Sequence, residues 1–259
     1  VNLPSNTWIP LQCAGAIAVV CLGLLVKVYS VALLGVVVSI LLLLRWSWHN
    51  GGHPGVAPLR DDDPVDPPLH SRTFDGPGLW GMVVALMANA TLYLSLVFGW
   101  FYLWTVAPLW SAPEEGPLAL LPLVSSGVLL SLAVILYGRG LARLRKRDTE
   151  GLEGRFWLVS LLGAGHVLLL LWLLLDAPLH PTRTSHDAVL MVMVIYQLIH
   201  SALAVVLTAM QAVRLRLGYV SARIPYEPIV LGPFWLYTVG VFWMSFAAFV
   251  LLPLAWGAV

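Results

Sequence analysis

Charged side chains are scarce in this chain, and their scarcity excludes a water-soluble fold. Of the 259 residues only 10% are charged, 59% are hydrophobic, and the mean hydropathy is +0.87. A soluble domain carries roughly 25% charged residues. The composition therefore predicts an all-α polytopic membrane protein.

The chain also lacks an excess of either charge and contains little cysteine. A formal net charge of +1 leaves no basic face to neutralise phosphates, which excludes nucleic-acid binding. Cys13 and Cys21 lie in one apolar run, where cysteine behaves as a small buried hydrophobe, so we predict no disulfide or metal site there. The sequence contains no P-loop, Rossmann fingerprint, catalytic triad or zincin motif, and we predict no catalytic residue.

What the chain has in abundance is apolar segments long enough to cross a hydrocarbon core of ~30 Å. We predict seven transmembrane helices: Trp8–Val26, Val28–Trp48, Gly78–Val106, Pro117–Leu144, Phe156–Asp176, Asp187–Val213 and Val230–Trp256. The stretch between the second and third is rich in Pro, Gly and Asp and cannot support a packed core. The predicted organisation is a transmembrane hairpin (1–48), a cytoplasmic linker (49–76) and a five-helix bundle (77–259).

Basic residues predict the orientation of these helices, because cytoplasmic loops carry an excess of Lys and Arg. With seven spans, all 14 basic residues except Lys27 and Arg183 fall on one side. The N-terminus is therefore predicted to be cytoplasmic and the C-terminus outside.

The stretch Ser185–Gly218 has a middle apolar enough to cross a bilayer and would extend for about 50 Å as a helix. It contains Asp187, Tyr196, Gln197 and His200, and polar groups at that depth must face protein, a cavity or a partner. Tyr196, Gln197 and His200 share one helix face, which we predict to point into the five-helix bundle.

Only two of the seven histidines, His166 and His200, are predicted to lie within the membrane. A haem or copper site usually takes two to four ligands at helical spacing on facing helices. We therefore predict that His166, Tyr196, Gln197 and His200 make interhelical polar contacts and that this chain binds no metal or redox cofactor. Asn89 lies in the middle of the third segment, where it can bond a neighbouring helix or contact a lipid headgroup.

Six stretches carry a resemblance to a known family: PSNTWIPL, LLLRWSWHNGGH, LWGMVVALMANATLYLSLVFGWFYLW, PLALLPLVSSGVLLSLAVILYGRGL, IYQLIHSALAVVL and FWLYTVGVFWMSF. In this order they resemble the motifs of subunit III of the haem–copper cytochrome c oxidases. The family's motifs include a Pro-Ser-x-Trp-Pro start and a Phe-His-Gly-Leu-His helix. Its seven spans are likewise divided two plus five, with the N-terminus inside.

The chain departs from that family at four intramembrane positions. Asn89 stands where the family has a buried Glu, and Gln197 replaces the first His of the sixth-span pair, whereas His200 matches the second. In the last span, Leu236 and Val239 stand at the family's His and Asp positions. The chain begins at Val1 rather than Met, which suits the C-terminal portion of a fused subunit I–III chain.

The resemblance implies a subunit without haem or copper in a bacterial inner membrane. Haem and copper would lie in the partner subunits I and II, which reduce oxygen to water and translocate protons. This chain would stabilise subunit I and hold phospholipids between hairpin and bundle, near Arg45, Trp46, Trp48, Arg72 and Asn89.

Other interpretations remain. A quinol oxidase or nitric oxide reductase would have a related subunit, usually without the first hairpin. A membrane metalloenzyme would need more intramembrane histidines than His166 and His200. A transporter would show intramembrane charge or broken helices, and only Asp187, near a span end, offers that.

Overall fold

The computed structural model describes residues 8–50, 76–107, 110, 120–177 and 179–255, and in these ranges the backbone is helical without any strand. The helices are α1 (Ile9–Leu25), α2 (Tyr29–Asn50), α3 (Pro77–Val106), α4 (Leu120–Arg145), α5 (Leu152–Asp176), α6 (Ser185–Arg216) and α7 (Tyr226–Phe246). A π-helical turn (Ala247–Leu251) and the short α8 (Leu252–Ala255) follow α7.

Six of these helices, α2 to α7, are long and apolar enough to cross a membrane, and α1 is a shorter apolar helix of 17 residues. The chain is therefore a multi-pass membrane protein. Backbone N–H and C=O groups in hydrocarbon must pair internally, which explains why the apolar segments are helical.

The observed helices extend beyond the predicted spans where charged residues occur. Helix α5 begins at Leu152, α6 ends at Arg216, and α7 begins at Tyr226, each past the apolar segment. A prediction from hydropathy marks only the apolar stretch, whereas in these three cases the helix continues into a flanking segment that includes charged side chains. The last predicted span, Val230–Trp256, is interrupted by the π-helical turn, which the sequence did not reveal.

The chain divides into two compact units, Val1–Pro58 and Leu59–Val259. The first contains the helical hairpin of α1 and α2, whose turn places Lys27 at a left-handed φ of 58°. A Cβ on Gly23 would lie 2.6 Å from the backbone nitrogen of Ala32, so only glycine permits this close approach.

In the second unit, α5 packs most extensively against α4 and α6, while α7 contacts α3, α4 and α6, and α3 also contacts α6. Fully buried side chains at these contacts include Leu130, Phe156, Val159 and Trp235. Gly163 on α5 allows a close approach, because a Cβ there would lie 2.6 Å from Val205 Cγ2.

The connection from α4 to α5 turns through two left-handed residues, Arg147 and Gly151. Arg143 Nε donates to Asp148 Oδ2 at 2.6 Å, and this hydrogen bond lowers the pKa of the Asp148 carboxyl below its usual range. The ion pair is exposed and closes the turn just outside the apolar part of α4.

Candidate functional site

Two groups of hydrogen-bonded side chains meet on α6, and they contain most of the polar residues singled out in the sequence. Residues four apart on a helix lie on one face, so Tyr196 stands next to His200, and Gln197 next to Ser201. All four side chains are buried. We call the two groups the His200 network and the His166 network.

The His200 network consists of Asn89 on α3, Tyr196 and His200 on α6, and Tyr237 on α7. Asn89 Nδ2 lies 3.1 Å from His200 Nε2, and the Tyr196 hydroxyl donates to Asn89 Oδ1 at 3.1 Å. The hydroxyls of Tyr196 and Tyr237 are 2.6 Å apart. The Asn89 amide therefore joins α3 to α6, and the pair of tyrosine hydroxyls joins α6 to α7.

The directions of these hydrogen bonds follow from the groups that can only accept. His200 Nδ1 lies 2.8 Å from the carbonyl oxygen of Tyr196 and must carry a hydrogen to bond it. In the neutral ring Nε2 then accepts from Asn89 Nδ2, which leaves Asn89 Oδ1 as acceptor for Tyr196. Tyr237 donates to Tyr196 in turn, so every member is satisfied without a charge.

The His166 network consists of Ser126 on α4, His166 on α5, and Gln197 and Ser201 on α6. His166 Nδ1 is 3.1 Å from the Ser126 carbonyl oxygen, to which it donates, and 2.7 Å from Ser126 Oγ. Its Nε2 accepts from Ser201 Oγ at 3.1 Å. Gln197 Nε2 donates to Ser201 Oγ at 3.1 Å and to the Thr238 carbonyl oxygen at 3.2 Å.

Further polar contacts follow the same side of α6 towards its C-terminus. The Tyr137 hydroxyl lies 2.9 Å from Gln211 Oε1 and 2.8 Å from the Pro228 carbonyl oxygen. Trp235 Nε1 donates to Thr208 Oγ1 at 2.9 Å. Near the end of the helix, Arg214 forms a salt bridge with Glu227 on α7, with Nη2 and Oε1 2.7 Å apart.

Sequence reasoning missed that Ser201, Thr208 and Gln211 belong to one buried face of α6. It also missed Ser126 on α4 and the Arg214–Glu227 pair between α6 and α7. A signal was present on α6, because the residues of this face follow spacings of four and three in alternation. They are Gln197, Ser201, Ala204, Thr208 and Gln211. All five are at most 4% exposed. The partners on α4, α5 and α7 carry no comparable pattern.

The residues predicted to contact lipid are not brought together within one unit. Arg45 is exposed and Trp46 half-buried on α2 in the first unit, whereas Asn89 belongs to the second unit and bonds His200 and Tyr196. Trp48 belongs to α2, but its side chain lies outside the described part of the structure, as does Arg72 altogether.

The His200 and His166 networks hold helices together through hydrogen bonds between uncharged groups. Within the described residues, no group of three or more His, Cys, Asp or Glu side chains is placed to hold a metal ion. Cys13 is buried and Cys21 exposed, both as free thiols. Compared with known proteins, the chain matches neither a family model nor a curated protein sequence.

Proposed function

We propose that this chain is the non-catalytic subunit III of a haem–copper terminal oxidase, which stabilises the catalytic subunit I and holds phospholipids. The observation that carries the proposal is the order of six motifs along nearly the whole chain, from PSNTWIPL to FWLYTVGVFWMSF. Each motif alone is weak, and it is their common order that favours this family over other membrane proteins.

The contacts between the motif segments support a structural role. Asn89 in the ANAT segment, Tyr196 and His200 in the IYQLIH segment, and Tyr237 in the FWLYTV segment form the His200 network. The stretches that resemble the family are thus those that pair α3, α6 and α7. These hydrogen bonds link neighbouring helices, so the residues that form them position α3, α6 and α7 relative to one another.

The two intramembrane histidines support the same role. His166 is fully buried and uses both ring nitrogens for hydrogen bonds to Ser126 and Ser201. His200 uses both of its ring nitrogens for Asn89 and the Tyr196 carbonyl oxygen. Neither ring keeps a lone pair for a metal, so in the proposed complex haem and copper belong to subunits I and II.

The proposal includes a specific placement in the membrane. All seven predicted segments span a bacterial inner membrane, with the N-terminus in the cytoplasm and the C-terminus outside, as the distribution of basic residues favours. The proposed phospholipids are held near Arg45, Trp46, Trp48 and Arg72, whose charged and aromatic side chains suit lipid headgroups. The carboxylate that the family offers at this depth is absent here, because Asn89 stands at its position and bonds His200 and Tyr196.

Purification of the native complex through an affinity tag on this chain tests the proposal. We expect mass spectrometry to identify an oxidase subunit I, separate or fused to this chain, together with subunit II. The reduced-minus-oxidised spectrum of the same sample should show haem bands, and the sample should oxidise cytochrome c. A preparation from untagged cells is the control.

A complex with haem that oxidises quinol but not cytochrome c would instead favour the quinol-oxidase alternative. A purified chain without any haem-containing partner would contradict the proposal.

A further inference from the structure

A small, partly open cavity lies in the second unit, between α4, α5, α6, α7 and the π-helical turn that follows α7. Its volume is about 50 Å³. The wall is mostly apolar and buried, and includes Leu123, Leu170, Met193, Phe242 and Phe249. Two lining residues are polar, Gln197 and Ser245.

Gln197 presents a hydrogen-bond acceptor to this cavity. Both hydrogens of its Nε2 are directed elsewhere, to Ser201 Oγ and to the carbonyl oxygen of Thr238. The amide cannot be turned over, because Oε1 would then face that carbonyl oxygen. Its Oε1 is buried and has no hydrogen-bond partner among the described residues, and Gln197 as a whole is 3% exposed.

A buried carbonyl oxygen without a donor destabilises the fold by about 1–3 kcal/mol. Native proteins seldom keep such a group unless another molecule satisfies it. A donor placed in the cavity would complete the His166 network, whose hydrogen bonds run from Gln197 through Ser201 to His166 and Ser126.

Two further features mark the same place. Ser245 Oγ lies 2.9 Å from the Tyr93 hydroxyl and keeps an oxygen lone pair available to a second donor. The helix also widens into the π-helical turn Ala247–Leu251 at this point, and two of its residues, Phe249 and Val250, line the cavity. Such single π-turns within helices occur frequently at functional sites.

We propose that this cavity is a water-binding site in which a water molecule donates hydrogen bonds to Gln197 Oε1 and Ser245 Oγ. A water needs about 10–15 Å³ of accessible space and two to four polar partners, and the cavity offers both. The bound water joins the Tyr93–Ser245 pair of α3 and α7 to the His166 network of α4, α5 and α6. This inference does not depend on the oxidase proposal.

The size and chemistry of the cavity select water over other occupants. An ion would lack a counter-charge, because none of the lining residues is ionisable. An acyl chain would leave Gln197 Oε1 without a donor. Water supplies two donors in the smallest volume.

X-ray hydroxyl-radical footprinting of the purified protein in heavy-oxygen water tests the site, because radicals formed from a bound water modify the nearest side chains. We expect buried Met193 and Phe249 to be modified rapidly and to carry the heavy isotope. Phe156 is the internal control, since it is fully buried and does not line the cavity.

Two variants remove the site by different routes. Gln197→Met removes the acceptor, and Val194→Phe fills the cavity without changing Gln197. Each should lower the modification of Met193 to the level of Phe156. The matched control Val192→Phe, on the exposed side of the same helix, should leave it unchanged.

Two results would overturn the proposal. Modification of Met193 no faster than that of Phe156 in the unaltered chain would mean that the cavity holds no water. Rapid modification that persists in Val194→Phe would mean that solvent reaches Met193 by opening of the bundle instead.

Discussion

Asn89 supplies a donor and an acceptor from one side chain, and both are used. Its Nδ2 bonds His200 and its Oδ1 accepts from Tyr196. An ionised carboxylate at this position offers acceptors only, so it could not bond Nε2 of a neutral His200 whose hydrogen is on Nδ1, bonded to the Tyr196 carbonyl oxygen. The amide therefore fits this pair of partners, whereas the Glu of the family that the chain resembles would require a different arrangement.

Substitution of Asn89 should weaken the contact between α3 and α6. We expect Asn89→Leu to lower the free energy of unfolding by about 1–3 kcal/mol, since buried polar atoms of His200 and Tyr196 lose their partner. The measurement is unfolding in mixed micelles followed by tryptophan fluorescence.

The matched control is Thr91→Val two residues further along α3. Thr91 is exposed and bonds only the Met87 carbonyl oxygen of its own helix, so the change should stay within about 0.5 kcal/mol. Equal losses in both variants would contradict the role given to Asn89.

The Arg214–Glu227 pair should stabilise the contact of α6 with α7 only while both partners are present. The side chain of Arg214 is 1% exposed and that of Glu227 25% exposed. Glu227→Leu should destabilise by about 3 kcal/mol, because it leaves a buried guanidinium without its carboxylate.

The double variant Arg214→Met, Glu227→Leu should recover much of that loss, since it removes both charges. Arg216→Met changes an exposed residue of the same turn and should have little effect. If the double variant lowers the free energy of unfolding by the sum of the losses in Arg214→Met alone and Glu227→Leu alone, the two side chains do not interact.

At the scale of single helices, the sequence predicted which side of α6 is polar but not what it contacts. The spacing of Tyr196 and His200 places them together on any helix, since it depends on local geometry alone. Their partners Asn89 and Tyr237 are more than a hundred and about forty positions away in the chain. Which helices become neighbours depends on tertiary packing, which no local pattern of this sequence encodes.

The close contact of α5 with α6 and α7 gives a prediction for glycine. A Cβ on Gly163 would lie 2.6 Å from Val205 Cγ2 and 3.0 Å from Trp235 Cη2, and Trp235 is fully buried. Gly163→Ala should therefore destabilise by about 1–3 kcal/mol through overpacking. The midpoint of thermal unfolding, read from helical circular dichroism, measures the change.

Gly154, on the same helix, has open space around it and serves as the control. Gly154→Ala should be neutral or stabilise by up to about 1 kcal/mol, because alanine has the higher helix propensity. A stabilising effect at Gly163 would contradict the close packing of α5 and α6.

At the scale of the whole molecule, composition alone predicted a helical membrane protein, and the structure confirms that class. Apolar segments set where the helices form because the bilayer forces backbone groups to pair internally. The π-helical turn after Phe246 was missed, since the sequence AAFVL contains no residue that distinguishes it from ordinary helix. Whether the chain has seven spans or six depends on α1, which at 17 residues is shorter than the six candidate spans.

Orientation is the property of the whole molecule that the distribution of basic residues predicts. In a chain with Cys13 and Cys21 replaced, a cysteine at position 150 should be protected from an impermeant maleimide applied outside the cell, and one at position 114 should react. The reason is that a cluster of basic residues, Arg143, Arg145, Lys146 and Arg147, favours a cytoplasmic position for the connection around position 150. The opposite pattern would exclude both the orientation and the count of seven spans.

Oxygen consumption per haem, measured on the purified complex that carries His200→Leu in this chain, tests the proposed accessory role most directly. We expect the substitution to break the His200 network, so that less of this chain stays with the complex and its melting temperature falls. Haem content per catalytic subunit and the initial rate of oxygen reduction per haem should stay at the unaltered level. A fully assembled, haem-replete complex that no longer reduces oxygen would contradict the accessory role and would place His200 in the chemistry itself.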